Sequence, residues 1–178
     1  MEKVELARKI RSISLLRGRF KLRSGKISSF YWDKYRFESR PELLEAILEK
    51  MQKLLPASFH KFAAMELGGI PLATGLSLKT GKDCLYVRKT AKNYGTRNLV
   101  EGGFNKDEKV VVVEDVITTA GQVSSSIRQM RTLGLIVEDV ICVIDRQQGG
   151  RENLEKIGCS LACLFTMEEL KRTAQEKD

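Results

Sequence analysis

An α/β fold, with a mainly parallel sheet flanked by helices, follows from three observations. Strand-like apolar runs alternate with amphipathic helical stretches from about residue 41 onward. One run, residues 109–115, carries four consecutive valines, the pattern of a strand covered on both faces. The length of 178 residues, 42% of them hydrophobic, suits one domain with enough bulk to bury a core. A single domain over 1–178 is expected, with 1–40 as an N-terminal element and 41–178 as the α/β core.

Taken in order, residues 3–14 place Val4, Ala7, Ile10 and Ile13 on one helical face, with Arg8, Lys9 and Arg11 on others. Residues 16–37 mix glycine turns with Phe20, Leu22, Phe30, Tyr31 and Trp32, and read as short strands and a turn. Ser39 and Pro41 open a helix with Leu44, Ile47, Leu48, Met51 and Leu55 at 3.6-residue spacing. Residues 62–67 form a short strand, followed by a Gly-Gly-Ile-Pro turn and a helix to Thr80. Residues 84–88 and 109–115 are further strands. A helix over about 122–133 ends near Gly134, and residues 138–145 form another strand. Residues 151–158 make a short helix, residues 159–165 are strand-like, and Thr166 with Glu169 gives a capping box for the last helix.

The formal charge of +8 sits in one place. Residues 1–40 hold twelve Lys/Arg and four acids, which accounts for the whole surplus and leaves 41–178 neutral. No apolar run approaches the roughly 20 residues needed to span a bilayer, and the charged N-terminus lacks the apolar region of a secretory signal. Cys84, Cys142, Cys159 and Cys163 form no CxxC pair, and His60 is the single histidine. Buried reduced thiols in a cytoplasmic protein are therefore expected instead of a zinc site. Cys159 and Cys163 on one strand would lie about 13 Å apart, too far for a disulfide.

The most informative stretch runs from Val110 to Gln122. A buried strand brings Glu114 and Asp115 to its carboxyl end, and the loop Thr118-Thr119-Ala120-Gly121 enters a helix. In open parallel sheets ligands bind at that edge. Backbone N–H groups at the loop and helix start form a phosphate cradle, with the two threonine hydroxyls beside it. Carboxylates next to such a cradle suit sugar hydroxyls or a divalent metal, so the ligand expected is a phosphorylated sugar. Residues 75–83 resemble a P-loop, but five residues separate the glycines and Asp83 stands in place of Ser/Thr.

Those two acids followed by small and hydroxyl residues resemble the phosphoribosyl-diphosphate (PRPP) signature of type I phosphoribosyltransferases. Residues 20–33, 66–73, 87–96 and 143–150, in family order, resemble orotate phosphoribosyltransferases over nearly the whole chain. The resemblance implies the phosphoribosyltransferase fold, with 1–40 as a small hood and substrate segment. It implies that Val116, Ile117, Thr118, Thr119, Ala120, Gly121 and Gln122 line the phosphate site, with Glu114 and Asp115 on the ribose hydroxyls. Gly68 and Gly69 would form the turn beside the diphosphate. Arg88, Lys89, Lys92 and Tyr94 would lie on a loop, 88–97, that closes over the diphosphate and reaches the neighbouring active site of a homodimer. Arg23 would also contact PRPP. Tyr31 and Trp32 would face the orotate ring, and Thr118 and Arg146 its polar edge. Lys92, Asp115 and Glu114 would carry catalysis. The implied cofactor is Mg²⁺, held mainly by PRPP and water.

The physics of the reaction agrees with this set. Departure of diphosphate from ribose C1 leaves positive charge on the sugar and negative charge on the leaving group, which preorganised cations stabilise. Residues 86–97 carry four cations and no acid. Orotate bears a carboxylate that an arginine can grip bidentately. Three positions depart from the family pattern. Tyr94 stands for a histidine, and with a reference pKa of about 10 is a poor proton shuttle at neutral pH. Gln122 replaces a small hydroxyl residue, and Ser29 a common proline. Two other readings remain open on sequence: transfer to another nucleobase, and a non-catalytic PRPP-sensing regulator that binds nucleic acid through 1–40. The second lacks a helix-turn-helix pattern.

Overall fold

The computed structural model describes residues 1–21, 25–90 and 98–173. Helix α1 (Lys3–Ser14) leads into the antiparallel hairpin β1 (Leu15–Lys21) and β2 (Ile27–Trp32). The short helix α2 (Tyr35–Glu38), helix α3 (Pro41–Met51) and a 3-10 turn (Gln52–Leu54) follow. Then come β3 (Lys61–Met65), α4 (Gly69–Thr80), β4 (Cys84–Val87), β5 (Val100–Glu101) and β6 (Lys109–Ile117). The chain continues through α5 (Gly121–Thr132), β7 (Ile136–Asp145), α6 (Gly150–Glu155), β8 (Ser160–Thr166) and α7 (Met167–Arg172).

Six strands form one sheet in the order β5-β4-β3-β6-β7-β8. All neighbours are parallel except β5, which runs antiparallel to β4 at the edge. The four valines of β6 explain the layering. Val111 and Val113 face a core built with α1, α3, α4 and α7, where Ile10, Ile47, Leu72, Leu76 and Leu170 are buried. Val110 and Val112 face the opposite core, with Val123, Ile127 and Met130 of α5 and Leu154 of α6. Each fully buried aliphatic side chain contributes about 1.5–3 kcal/mol, so neither face of β6 tolerates solvent. The parallel α/β arrangement expected from the sequence is the one observed.

Several local expectations need correction. Helix α1 buries Leu6, Ala7, Ile10 and Ser14, whereas Val4 is 51% exposed. At about 100° per residue, the 6–10–14 stripe that meets the other helices leaves Val4 on its flank. The residue flanking α3 is Arg40, not Ser39, and no side chain caps it; Pro41 takes the first helical position. Leu55 lies beyond both α3 and the 3-10 turn. Strand β5 has two residues and carries no periodicity to read. The capping box is present: Thr166 Oγ1 accepts from the Glu169 N–H at 3.1 Å, and Glu169 Oε2 from the Thr166 N–H at 2.7 Å. All four cysteines are free, and burial pushes the Cys84 thiol up to about 11.

Thr166→Ala removes one arm of that cap and should cost about 1 kcal/mol in urea unfolding. Gly69→Ala should cost more, because a Cβ there would lie 2.2 Å from the Val113 carbonyl oxygen, a backbone atom of the central strand.

Candidate active site

Strands β3 and β6 are neighbours, yet the chain leaves β3 toward β4 on one side and β6 toward β7 on the other. Their carboxyl ends therefore flank the topological switch point, where α/β sheets open a ligand crevice. The backbone at Gly68, after β3, presses against the end of β6 so closely that a Cβ would fall 1.5 Å from Asp115 Oδ2. No side chain fits there. Glycine at 68 is a requirement of the acid beside it, and glycine at 69 a requirement of Val113.

The two acids of β6 sit differently. Asp115 is fully buried. Its Oδ1 accepts the Val116 N–H at 2.5 Å, and its Oδ2 pairs with Lys34 Nζ at 2.5 Å. Glu114 is half-buried, and its Oε2 accepts the Asp115 N–H at 3.2 Å. Burial, and then the neighbouring Asp115 charge, pushes the Glu114 carboxyl up to about 8. For Lys34, burial works against the ammonium, but Asp115 outweighs it and the net shift is upward. In this arrangement Lys34 covers the Asp115 carboxylate.

Beyond the acids, β6 runs to Ile117, whose side chain is buried, as is that of Ala120. Thr118 is half-buried, while Thr119, Gly121 and Gln122 are exposed. Ala120 takes a left-handed backbone (φ 57°), turning the chain into α5, and no side chain caps that helix. Its first-turn N–H donors and the positive end of its dipole are left for an anion. Asn153 Nδ2 fixes the loop by donating to the Thr119 carbonyl at 3.0 Å.

A cavity of about 970 Å³ opens beside this loop. Among the residues expected from the sequence, it gathers Tyr31, Trp32, Val116, Thr118, Thr119 and Arg146. The Arg146 backbone N–H donates to the Ile117 carbonyl at 2.8 Å, and its guanidinium Nε is buried without a hydrogen-bond partner. Tyr31 is 44% exposed and stacks obliquely on Phe20, ring centroids 5.6 Å apart. Glu114, Asp115, Ile117, Ala120, Gly121 and Gln122 do not line this cavity, nor do Gly68, Gly69, Arg88 and Lys89, which lie at the carboxyl ends of β3 and β4. Arg88 Nε donates to Glu101 Oε1 at 3.1 Å, and the Lys89 N–H to Glu66 Oε2 at 3.2 Å. Arg23, Lys92 and Tyr94 lie outside the described residues.

The sequence did not single out Lys21, Lys34, Phe37 or Gln148, which also line the cavity. Lys34 was visible only as part of the N-terminal charge surplus. A signal was present in its spacing, since Glu38 follows four residues later and a helical turn stacks the two. Among the described residues no group of three or more His, Cys, Asp or Glu could hold a metal ion, and no helix is long and apolar enough to cross a membrane.

No family model matches the sequence. The chain is 46% identical over 153 residues to the orotate phosphoribosyltransferase of Methanocella arvoryzae, which covers 86% of this chain and 87% of that one. The crystal structure of orotate phosphoribosyltransferase from Aeropyrum pernix superposes with a TM-score of 0.83 at 29% identity, over 99% of this chain and 100% of that one. That of the Mycobacterium tuberculosis H37Rv orotate phosphoribosyltransferase in complex with PRPP gives 0.80 at 26% identity, over 95% and 98%. Identity of this extent across nearly the full length of both chains, on a sheet with the same fold, has one consequence: the chain belongs to the orotate phosphoribosyltransferase family.

Proposed function

We propose that this protein transfers the phosphoribosyl group of PRPP to orotate, forming orotidine 5′-monophosphate and diphosphate in pyrimidine biosynthesis. The observation that carries the reading is one cavity in which a phosphate cradle and an unpartnered arginine meet. Thr118 and Thr119 of the cradle, Arg146 with its free buried Nε, and the aromatic pair Tyr31 and Trp32 all line it. A planar base with a carboxylate fits between such rings and such a guanidinium.

In this reading the 5′-phosphate sits on the N–H groups of the 118–122 loop, and Glu114 and Asp115 hold the ribose hydroxyls. Arg88 and Lys89, with Arg23 and Lys92, stabilise the departing diphosphate; their attraction grows as negative charge develops on it, which lowers the barrier. Mg²⁺ would be held mainly by PRPP and water, as suits an ion that dehydrates reluctantly, and would supply charge neutralisation at the diphosphate. No described side chain is assigned to it. The enzyme works as a single domain paired in a homodimer, with residues 88–97 reaching the neighbouring site. Four free thiols suit a reducing, cytoplasmic setting. Part of the N-terminal charge surplus serves the substrates, since Lys21 and Lys34 line the cavity. That use of the cations disfavours a nucleic-acid role.

Purified protein with Mg²⁺, PRPP and orotate should release diphosphate and form orotidine 5′-monophosphate. Turnover with uracil or a purine but not with orotate would refute the choice of base. Arg146→Gln should raise KM for orotate about 10- to 100-fold, the loss of a charged hydrogen bond, and leave KM for PRPP within about threefold. Lys92→Ala should lower kcat much more than it weakens PRPP binding; equal losses in both would mean that Lys92 acts only in ground-state binding.

A further inference from the structure

Glu38, the last residue of α2, is a buried acid to which the reaction above gives no task. It is 6% exposed, and neither carboxyl oxygen has a hydrogen-bond partner. Asp115 Oδ2 is likewise buried without a hydrogen-bond partner, and Lys34, one helical turn before Glu38, sits on that carboxylate, so the two acids interact directly. Two carboxylates are both acceptors, so they can bond to each other only through a proton. The proton belongs on Glu38. Asp115 already accepts the Val116 N–H and faces the Lys34 ammonium, both of which favour its charged form. Glu38 has no donor to stabilise a charge. We propose that Glu38 is a positioning residue: a neutral carboxylic acid whose O–H donates to Asp115 and holds that carboxylate in place when Lys34 gives it up to a ribose hydroxyl.

The inference rests on the phosphoribosyl reading of the acid pair and extends it to a residue outside the motif. The ionisable groups facing Glu38 are Lys34 and Tyr35 from its own segment and Glu114 and Asp115 from β6. Helices α1 and α3 also pack against α2, and every side chain they bury is non-ionisable. Burial first, and then the Asp115 charge, pushes the Glu38 carboxyl up to about 9. Above that pH Glu38 adds a negative charge beside Asp115 to the one that Glu114 gains nearer pH 8. It repels the carboxylate, strengthens the hold on Lys34 and opposes the entry of a polyanion. Binding of PRPP is thereby coupled to one proton.

The test compares wild type, Glu38→Gln and Glu38→Leu in titrations with Mg²⁺ and PRPP between pH 7.5 and 10, without orotate. Fluorescence of Trp32, the single tryptophan and a lining residue of the cavity, reports binding. For wild type the Kd should rise by about tenfold per pH unit above the Glu38 midpoint. Glu38→Gln keeps a neutral donor, so its Kd should stay within about threefold of wild type at pH 7.5 and rise less steeply than wild type above pH 9, where Glu114 alone of the two still titrates. Glu38→Leu should bind at least about tenfold more weakly at pH 7.5, the loss of a buried hydrogen bond to a charged group. Parallel rises for wild type and Glu38→Gln would overturn the proposal, as would equal affinity of the Gln and Leu variants at pH 7.5.

Melting curves of wild type and Glu38→Gln give a readout that needs no ligand. The folded-state pKa of Glu38 is raised, so wild type should lose stability relative to Glu38→Gln as pH rises from the ordinary carboxylate range toward 9. A constant difference across that window would overturn the proton assignment. If PRPP binds with the expected pH dependence but orotate is not turned over, the base assignment fails and Glu38 keeps its role. If PRPP does not bind at pH 7.5, the phosphoribosyl reading fails, and with it the ribose part of the proposal.

Discussion

The rest of the molecule is arranged around a central strand that cannot face water on either side. Both valine rows of β6 are fully buried, which requires helices on both faces of the sheet and neighbouring strands at both edges of β6. With β3 on one side and β7 on the other, the chain departs from β3 and β6 in opposite directions. The crevice that results is a consequence of the packing. It also sets the chemistry, because the strand that must be buried is the one that ends in Glu114 and Asp115. A carboxylate delivered by such a strand is desolvated by its own scaffold, and so needs partners as soon as it is made.

Those partners come partly from β6 itself and partly from outside the sheet. Val116 supplies a backbone N–H from the strand itself, Lys34 supplies the cation, and Gly68 keeps the approach clear of a side chain. The N-terminal segment thus does two things in one short stretch. Tyr31 and Trp32 form a wall of the cavity, and two residues later Lys34, which also lines it, pairs with the buried Asp115 behind it. A residue that shields a binding group in the absence of ligand lowers the cost of burying that group. Surface pairs such as Lys3–Glu169, with both side chains about half exposed, have no comparable effect.

What could be read from the sequence follows from how local each feature is. The valine run, the Thr118–Gly121 loop and the Thr166–Glu169 cap are contiguous signals whose meaning depends on neighbours within four residues. Each was legible for that reason. The Lys34–Asp115 pair joins residues 81 positions apart through a helix of four residues, too short for any periodic pattern to orient. Strand β5 is shorter still. The aromatic pair lies between these cases. Residue pattern alone places Tyr31 and Trp32 only in short strands and a turn, and resemblance to a family placed them at a ligand; in the structure both line the cavity and neither is fully buried.

The same contrast explains why the acid motif understates the site. A motif records the groups that meet the ligand, and here it names Glu114 and Asp115. It does not record what fixes their charge. Three carboxyl groups and one ammonium share a region with little access to solvent, and in that setting no acid has a charge state of its own. One cation balances one carboxylate, so the other two carboxyl groups are held toward their neutral forms, in keeping with the upward shifts of both Glu38 and Glu114. In the proposed reaction a ribose hydroxyl takes the place of Lys34, and Asp115 then exchanges a full positive charge for a dipole. The remaining acids must then stay neutral for the carboxylate to persist beside them. The place of Glu38 therefore calls for a group that is uncharged and donates a hydrogen bond, a requirement that glutamine also meets and leucine does not.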